Sequence, residues 1–159
     1  MAELRSELSA IGFEDVQTYI QSGNVVFQSR LRSARSVSDK IESTISSKFG
    51  FQPRVLVVDR KSLQNVVKNN PFPQARPNTL HVGFLTTSAV KPDFESLDRL
   101  KSGDESYKLV GKSFYLHAPD GIGRSKMAAA IEKCLGVPTT SRNWNTVNRL
   151  LQIAEACSQ

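Results

Sequence analysis

Three prolines within seven residues, Pro71, Pro73 and Pro77, place the strongest constraint on how this chain folds. Proline fixes φ and lacks a backbone N–H, so it interrupts helices and central strands alike. The stretch Asn69-Asn-Pro-Phe-Pro-Gln-Ala-Arg-Pro-Asn78 therefore holds no regular element and divides the 159 residues into two halves. The division predicts a first subdomain over 1–69, a linker over 70–78 and a second subdomain over 79–159 with a C-terminal helix.

In the first half, Leu4, Leu8 and Ile11 recur at helical spacing, and Gly12 offers a left-handed cap. The spacing predicts a helix over 2–11. The β-rich segments 16–21 and 24–28 flank Ser22-Gly23 and predict a hairpin. A basic loop with Arg30, Arg32 and Arg35 follows. Ser36, with Asp39 three residues on, resembles a capping box opening a helix. Its apolar stripe is Val37, Ile41, Ile45 and Phe49, ended by Gly50. Residues 54–59, built on the apolar run Val55-Leu-Val-Val58, predict a central strand. A short helix over 61–69 completes the half.

The second half predicts a strand over 79–85 and a helix over 93–101. A hairpin of 107–110 and 113–117 turns at Gly111-Lys112. A helix over 123–135, an extended piece over 138–141 and a last helix over 144–156 follow.

The element order is αββαβ in the first half and βαββα plus an edge strand in the second. Both match βαββαβ, the ferredoxin-like unit. The expected fold is therefore α+β, with two tandem ferredoxin-like subdomains, the first lacking its opening strand. Residue 1 is accordingly not expected to be a natural domain start. A chain extended upstream by about 20 residues, enough for a strand and a βα loop, is expected to be more stable.

Several longer motifs occur in a distinctive order: Thr18-Tyr-Ile-Gln-Ser-Gly-Asn-Val-Val-Phe27, Lys48-Phe-Gly-Phe51, Asn70-Pro-Phe-Pro73, Tyr115-Leu-His-Ala-Pro-Asp-Gly-Ile-Gly-Arg-Ser-Lys126 and Arg142-Asn-Trp-Asn-Thr-Val147. By these the chain resembles a bacterial family catalogued as domain of unknown function 1697. The resemblance spans nearly the whole chain and implies two tandem ferredoxin-like subdomains. Members open with a strand and an Arg-Gly-Ile-Asn-Val-Gly-Gly-like loop that this sequence lacks. No activity comes with the resemblance.

The segment most suggestive of function runs from His117 to Lys126. Gly121 and Gly123 permit close approach of a ligand to the main chain, Arg124 and Lys126 supply charge, and Ser125 offers a hydroxyl. Two cations near a helix start oppose the helix dipole, and such a local conflict marks a candidate site. Arg142 and Asn143 open the last helix and are expected to face the same place. The bland alternatives are that Asp120-Gly121 turns the chain, that Ser125 and Asn143 or Asn145 cap helices, and that Trp144 anchors a core. Neither a Walker loop nor a dinucleotide fingerprint is present.

His117 is the candidate general acid or base, with Asp120 as its possible orienter; no nucleophile stands at a triad spacing. Cys134, Cys157, His81 and His117 lie at no metal-ligand spacing, so neither a metal nor a cofactor is expected. Cys134 falls on an apolar helix face. Two unclustered cysteines and no signal-peptide pattern predict a cytoplasmic protein. The longest apolar runs are far too short to cross a membrane. A net charge of +6 favours anionic partners. No RNP1 pattern supports the RNA-binding route of recognition-motif proteins. The expected function is a binding module for a phosphate-bearing small molecule or nucleic acid. The alternative is an enzyme acting through His117 on a small anionic substrate.

Overall fold

The computed structural model describes residues 1–21 and 23–157, and the chain divides into two units. One comprises Met1–Gln64 with Arg149–Gln159, the other Asn65–Asn148. Both combine helices with antiparallel strands, giving the α+β class read from the sequence.

The first unit opens with α1 (Ala2–Ala10), which buries Leu8 and ends where Gly12 takes φ +101°. Strands β1 (Glu14–Tyr19) and β2 (Asn24–Gln28) pair antiparallel. Register slips by one residue between Glu14 and Gln17, a bulge where Asp15 takes φ +51°. Gly23 turns the hairpin at φ +80°; Ser22, expected in the same turn, lies outside the described residues. Helix α2 (Ala34–Phe49) carries the expected stripe, with Val37, Ile41 and Ile45 buried. It starts before the expected Ser36. Ser33 Oγ accepts from the Ser36 amide at 2.9 Å, so the cap forms three residues earlier. Asp39 instead lies 3.9 Å from Arg35, one turn back. Leu8, Phe13, Val16, Val37, Ile41 and Ile45 form one buried cluster, flanked by Val25, Phe27, Val55 and Val57.

One expectation fails here. Residues 54–59 do not form a strand. Apolar side chains favour extended backbone, but a strand exists only through its partner's hydrogen bonds. Among the described residues no backbone hydrogen bond reaches 55–58. Asp59 then caps α3 (Arg60–Lys68), accepting from the Ser62 amide at 2.7 Å. That bond, with one from the Ser62 side chain, holds the Asp59 carboxyl below its ordinary range.

The second unit is built on β3 (Leu80–Leu85), which follows a 3-10 turn at Pro77–Thr79. Helix α4 (Phe94–Leu100), strands β4 (Ser106–Val110) and β5 (Ser113–His117), helices α5 (Lys126–Ala129) and α6 (Ile131–Leu135), β6 (Thr139–Asn143) and α7 (Trp144–Ala156) complete the chain. The sheet order is β4-β5-β3-β6, antiparallel throughout. Register sets His81, Gly83 and Leu85 on one face with Leu116, Phe114, Asn143, Ser141 and Thr139. This face receives the helices: Leu85, Phe114 and Leu116 share a core with Leu97, Met127, Ile131, Cys134 and Leu135. The opposite face carries Leu80, Val82 and Tyr115, all almost wholly buried. The Tyr115 hydroxyl donates to the Val66 carbonyl at 2.6 Å, and Phe72 lies 5.9 Å from the His117 ring.

These contacts move the expected domain boundaries. The proline-rich stretch was expected to separate two subdomains, yet Asn65 onward belongs to the second unit. The reason is packing, since Val66 and Phe72 bind the sheet's second face. Similarly, Arg149 onward belongs to the first unit rather than the second. There Glu155 accepts from Gln64 at 3.1 Å, and Cys157 accepts from Gln17 and Gln28. The helix expected over 123–135 is also corrected. It begins at Lys126, because Ser125 is the residue that caps it, and it breaks at Ala130. There the Ala130 amide bonds three residues back to Met127 rather than four.

Gly83 sits at the closest approach in the sheet. A Cβ there would lie 2.8 Å from Thr139 Cγ2, and Thr139 is held by its hydroxyl bond to the Val137 carbonyl. Gly83→Ala should therefore cost about 1–3 kcal/mol in chemical denaturation. Adding Thr139→Ser, which removes that methyl and keeps the hydroxyl, should return most of it. An unchanged midpoint for Gly83→Ala alone would contradict the close packing.

Candidate functional site

The segment 117–126 leaves β5 and closes on itself. The Ala118 amide continues the ladder to the Thr79 carbonyl at 2.9 Å. The Gly121 amide then returns to the Ala118 carbonyl at 2.9 Å, with Gly121 at φ +97°. A side chain would strain the backbone there, so glycine is required for the turn. A 3-10 turn at Ile122–Arg124 follows, and the Ser125 amide bonds back to Ile122 at 3.1 Å. Ser125 is buried, and its hydroxyl accepts from the Ala128 amide at 3.0 Å. The loop is thus fixed by its own main chain.

This arrangement sorts the expected site residues. Ser125 is committed to the helix cap. Gly121 and Gly123 are exposed, as are Asp120, Arg124 and Lys126. Neither Arg124 nor Lys126 has a carboxylate or hydrogen-bond partner among the described residues. Asn143 accepts from the Asn145 amide at 2.8 Å and so opens α7, with a longer contact of 3.5 Å to the Asn78 carbonyl.

Arg142 and Asn143 are neighbours on β6, so strand alternation sends them to opposite faces. Asn143 shares a face with His81 and the helices; Arg142 shares the other with Val82 and Tyr115. The structure therefore does not bring both to one place. Arg142 is half-buried, donates to the Ser141 carbonyl at 2.9 Å, and has its pKa lowered by burial. In the first unit, two of the three loop arginines are engaged: Arg30 with Glu14 at 2.9 Å and Arg35 with Asp39.

His117 packs beside Phe72 and has no hydrogen bond or ion pair to Asp120 or any other carboxylate among the described residues. The imidazole that stands out is instead His81. Its Nδ1 is buried without a hydrogen-bond partner, and burial pushes its pKa down. The sequence carried a signal for this: a histidine second in an otherwise apolar central strand. On the same face, the Tyr107 hydroxyl donates to Asp98 at 2.7 Å, and burial together with that bond pushes the phenol up to about 12. Among the described residues, no three or more His, Cys, Asp or Glu side chains cluster to hold a metal. A shallow concavity of about 470 Å³ is lined by Ala129, Glu132, Lys133, Gly136, Val137 and Pro138, and it includes none of the expected site residues.

An α+β chain with antiparallel sheets and a rigid, exposed cationic loop is the class these features define. A family model described as a protein of unknown function, DUF1697, matches residues 1–115, and the chain belongs to that family. The chain is also similar in structure to the conserved bacterial protein SP0830 from Streptococcus pneumoniae, with a TM-score of 0.69 and 24% identity. That match covers 97% of this chain and 88% of the other. Such a likeness speaks for the fold. Among curated proteins none matches. No helix among the described residues is long and apolar enough to cross a membrane.

The depressed pKa of His81 has a sign that can be read in solution. Above the unfolded value near 6.5 both states are neutral, and the full stability is present. As pH falls below that value, the unfolded chain takes up a proton that the folded one resists, so stability is lost. Melting temperature should fall from about pH 7 to about pH 5.5. His81→Gln should flatten that slope. Parallel slopes for the two proteins would assign the titration elsewhere.

Proposed function

We propose that this chain is a non-catalytic module that binds phosphate-bearing anions through the loop Gly121–Lys126, and that its two units are tandem ferredoxin-like subdomains of a cytoplasmic protein. The sheet order β4-β5-β3-β6, with α4 before the hairpin and α5–α6 after it, is what the ferredoxin-like reading rests on for the second unit. The binding reading rests on one observation above all. Arg124 and Lys126 project from a main chain already locked by three internal hydrogen bonds, and neither is neutralised by a carboxylate. Unpaired cations on a rigid loop offer charge to a ligand at little ordering cost.

Charge is supplied here by side chains rather than by helix amides. Ser125 already occupies the Ala128 amide, and α5 spans only four residues. Point charges of this kind suit phosphate groups and do not select one scaffold. The acid/base alternative through His117 gains no orienting partner from the geometry. Arg142 lies on the face of the sheet opposite Asn143 and is not part of the proposed contact.

Melting-temperature shifts with nucleotides, sugar phosphates, single-stranded RNA and single-stranded DNA test this reading. A phosphate-bearing ligand should raise the melting temperature of the wild type and leave Arg124→Ala/Lys126→Ala unmoved. Affinity for a polyanion should fall steeply with salt, and affinity for a small phosphate less so. If no ligand shifts the wild type, or the double variant responds equally, the loop is not the site.

A further inference from the structure

We infer, resting on the reading that Gly121–Lys126 takes a phosphate, that the ligand is a small phosphate monoester carrying an ammonium group, and that Asp120 selects it. The loop that presents Arg124 and Lys126 also presents a carboxylate. Asp120 is exposed, and no hydrogen bond or ion pair engages it among the described residues. It stands four positions before Arg124, so even a fully extended chain would keep the two Cα atoms within about 14 Å. The bonds that close the turns at Gly121 and Ser125 shorten that span. One small molecule can therefore meet both side chains.

A second turn backs Asp120. Ser106 pairs with His117, so the segment before β4 lies beside the segment after β5. There Glu105 is buried and accepts from the Ser102 amide at 2.8 Å. The Glu105 amide in turn donates to the Ser102 carbonyl at 3.2 Å. Gly103 in this turn takes φ +56°, and a Cβ on it would lie 3.5 Å from Asp120 Oδ2. Asp104 follows, exposed and without a partner among the described residues. Carboxylates thus flank the two cations on one locked frame. A nucleic-acid strand repeats its negative charge at every nucleotide. A strand that reached Arg124 would carry further phosphates past Asp120 and Asp104, where like charges repel. An isolated phosphate leaves the carboxylates unanswered. A phosphate and an ammonium on one short skeleton satisfy both signs, each through charge-assisted hydrogen bonds.

The test titrates the intact chain near neutral pH and physiological salt, reading the backbone amide shifts of 118–126. The probes are phosphorylethanolamine and aminopropyl phosphate, their matched ethyl and propyl phosphates, and a short oligothymidylate. At least one aminoalkyl phosphate should bind about two- to fivefold tighter than its alkyl counterpart, the gain expected of one exposed ion pair. The oligothymidylate should bind no tighter than that aminoalkyl phosphate. Asp120 is exposed and caps nothing, so Asp120→Asn should melt with the wild type. That variant should lose the preference for the ammonium and keep its affinity for the alkyl phosphates, whereas Arg124→Ala/Lys126→Ala should lose both. If no monoester moves these amides in the wild type, the loop takes no phosphate, and the binding reading falls together with this inference. If the monoesters bind without preferring the ammonium, if Asp120→Asn keeps the preference, or if the oligothymidylate binds tightest, the loop still takes phosphate and the selection by Asp120 alone is overturned.

Discussion

Backbone pairing on both sides of one strand is the interaction on which the second unit depends. β3 bonds to β5 and to β6, so it aligns a hairpin that precedes α5 with a strand that follows α6. Its own side chains make this position possible. Leu80 and Val82 are fully buried on one face, and Gly83 admits Thr139 and Phe114 on the other. A larger residue at Gly83 would push β6 outward and with it the start of α7. The loop carrying Arg124 and Lys126 is held by the same frame, because Ala118 continues the β3–β5 ladder just before the chain turns.

Among the described residues the first unit has a two-stranded sheet and no strand paired on both sides. Its hairpin and its long helix form a real core, with Phe13 and Phe27 stacked at 4.5 Å and Lys40 over the Phe13 ring. The last apolar segment nonetheless stays without a ladder. Burial by alternate side chains holds it in place, while hydrogen bonding, the property that defines a strand, requires a neighbour.

Local signals were legible wherever the local chain decides the outcome. Hairpin β4–β5 turns at Gly111, α2 ends at Gly50, and the stripe of α2 faces inward, all as spacing implies. Signals failed where distant residues decide. The start of α2 is a local exception: Ser36 reads as a cap, but Ser33, three residues earlier, offers the same hydroxyl. The boundary was placed at the prolines, whereas Phe72 and Val66 bind to β5 and carry that stretch into the second unit. For the candidate site, the exposed cations were visible in the sequence. The opposite directions of Arg142 and Asn143 were not, because they depend on β6 being a strand through Asn143 rather than ending at 141. His81 is visible in the sequence only as a histidine in an apolar strand, and the packed sheet adds that its Nδ1 has no partner.

The two cysteines have a use that follows from their placement. Cys134 lies on the buried side of α6, inside the apolar core of the second unit, and Cys157 sits half-exposed at the end of the first. A thiol reagent modifies only sulfur it can reach. Cys157 reports on the fastening of the C-terminal turn to β1 and β2. Cys134 becomes visible only when α6 lifts from the sheet. Each unit thus carries its own clock, and the ratio of the two labelling rates measures how independently the halves of this chain breathe.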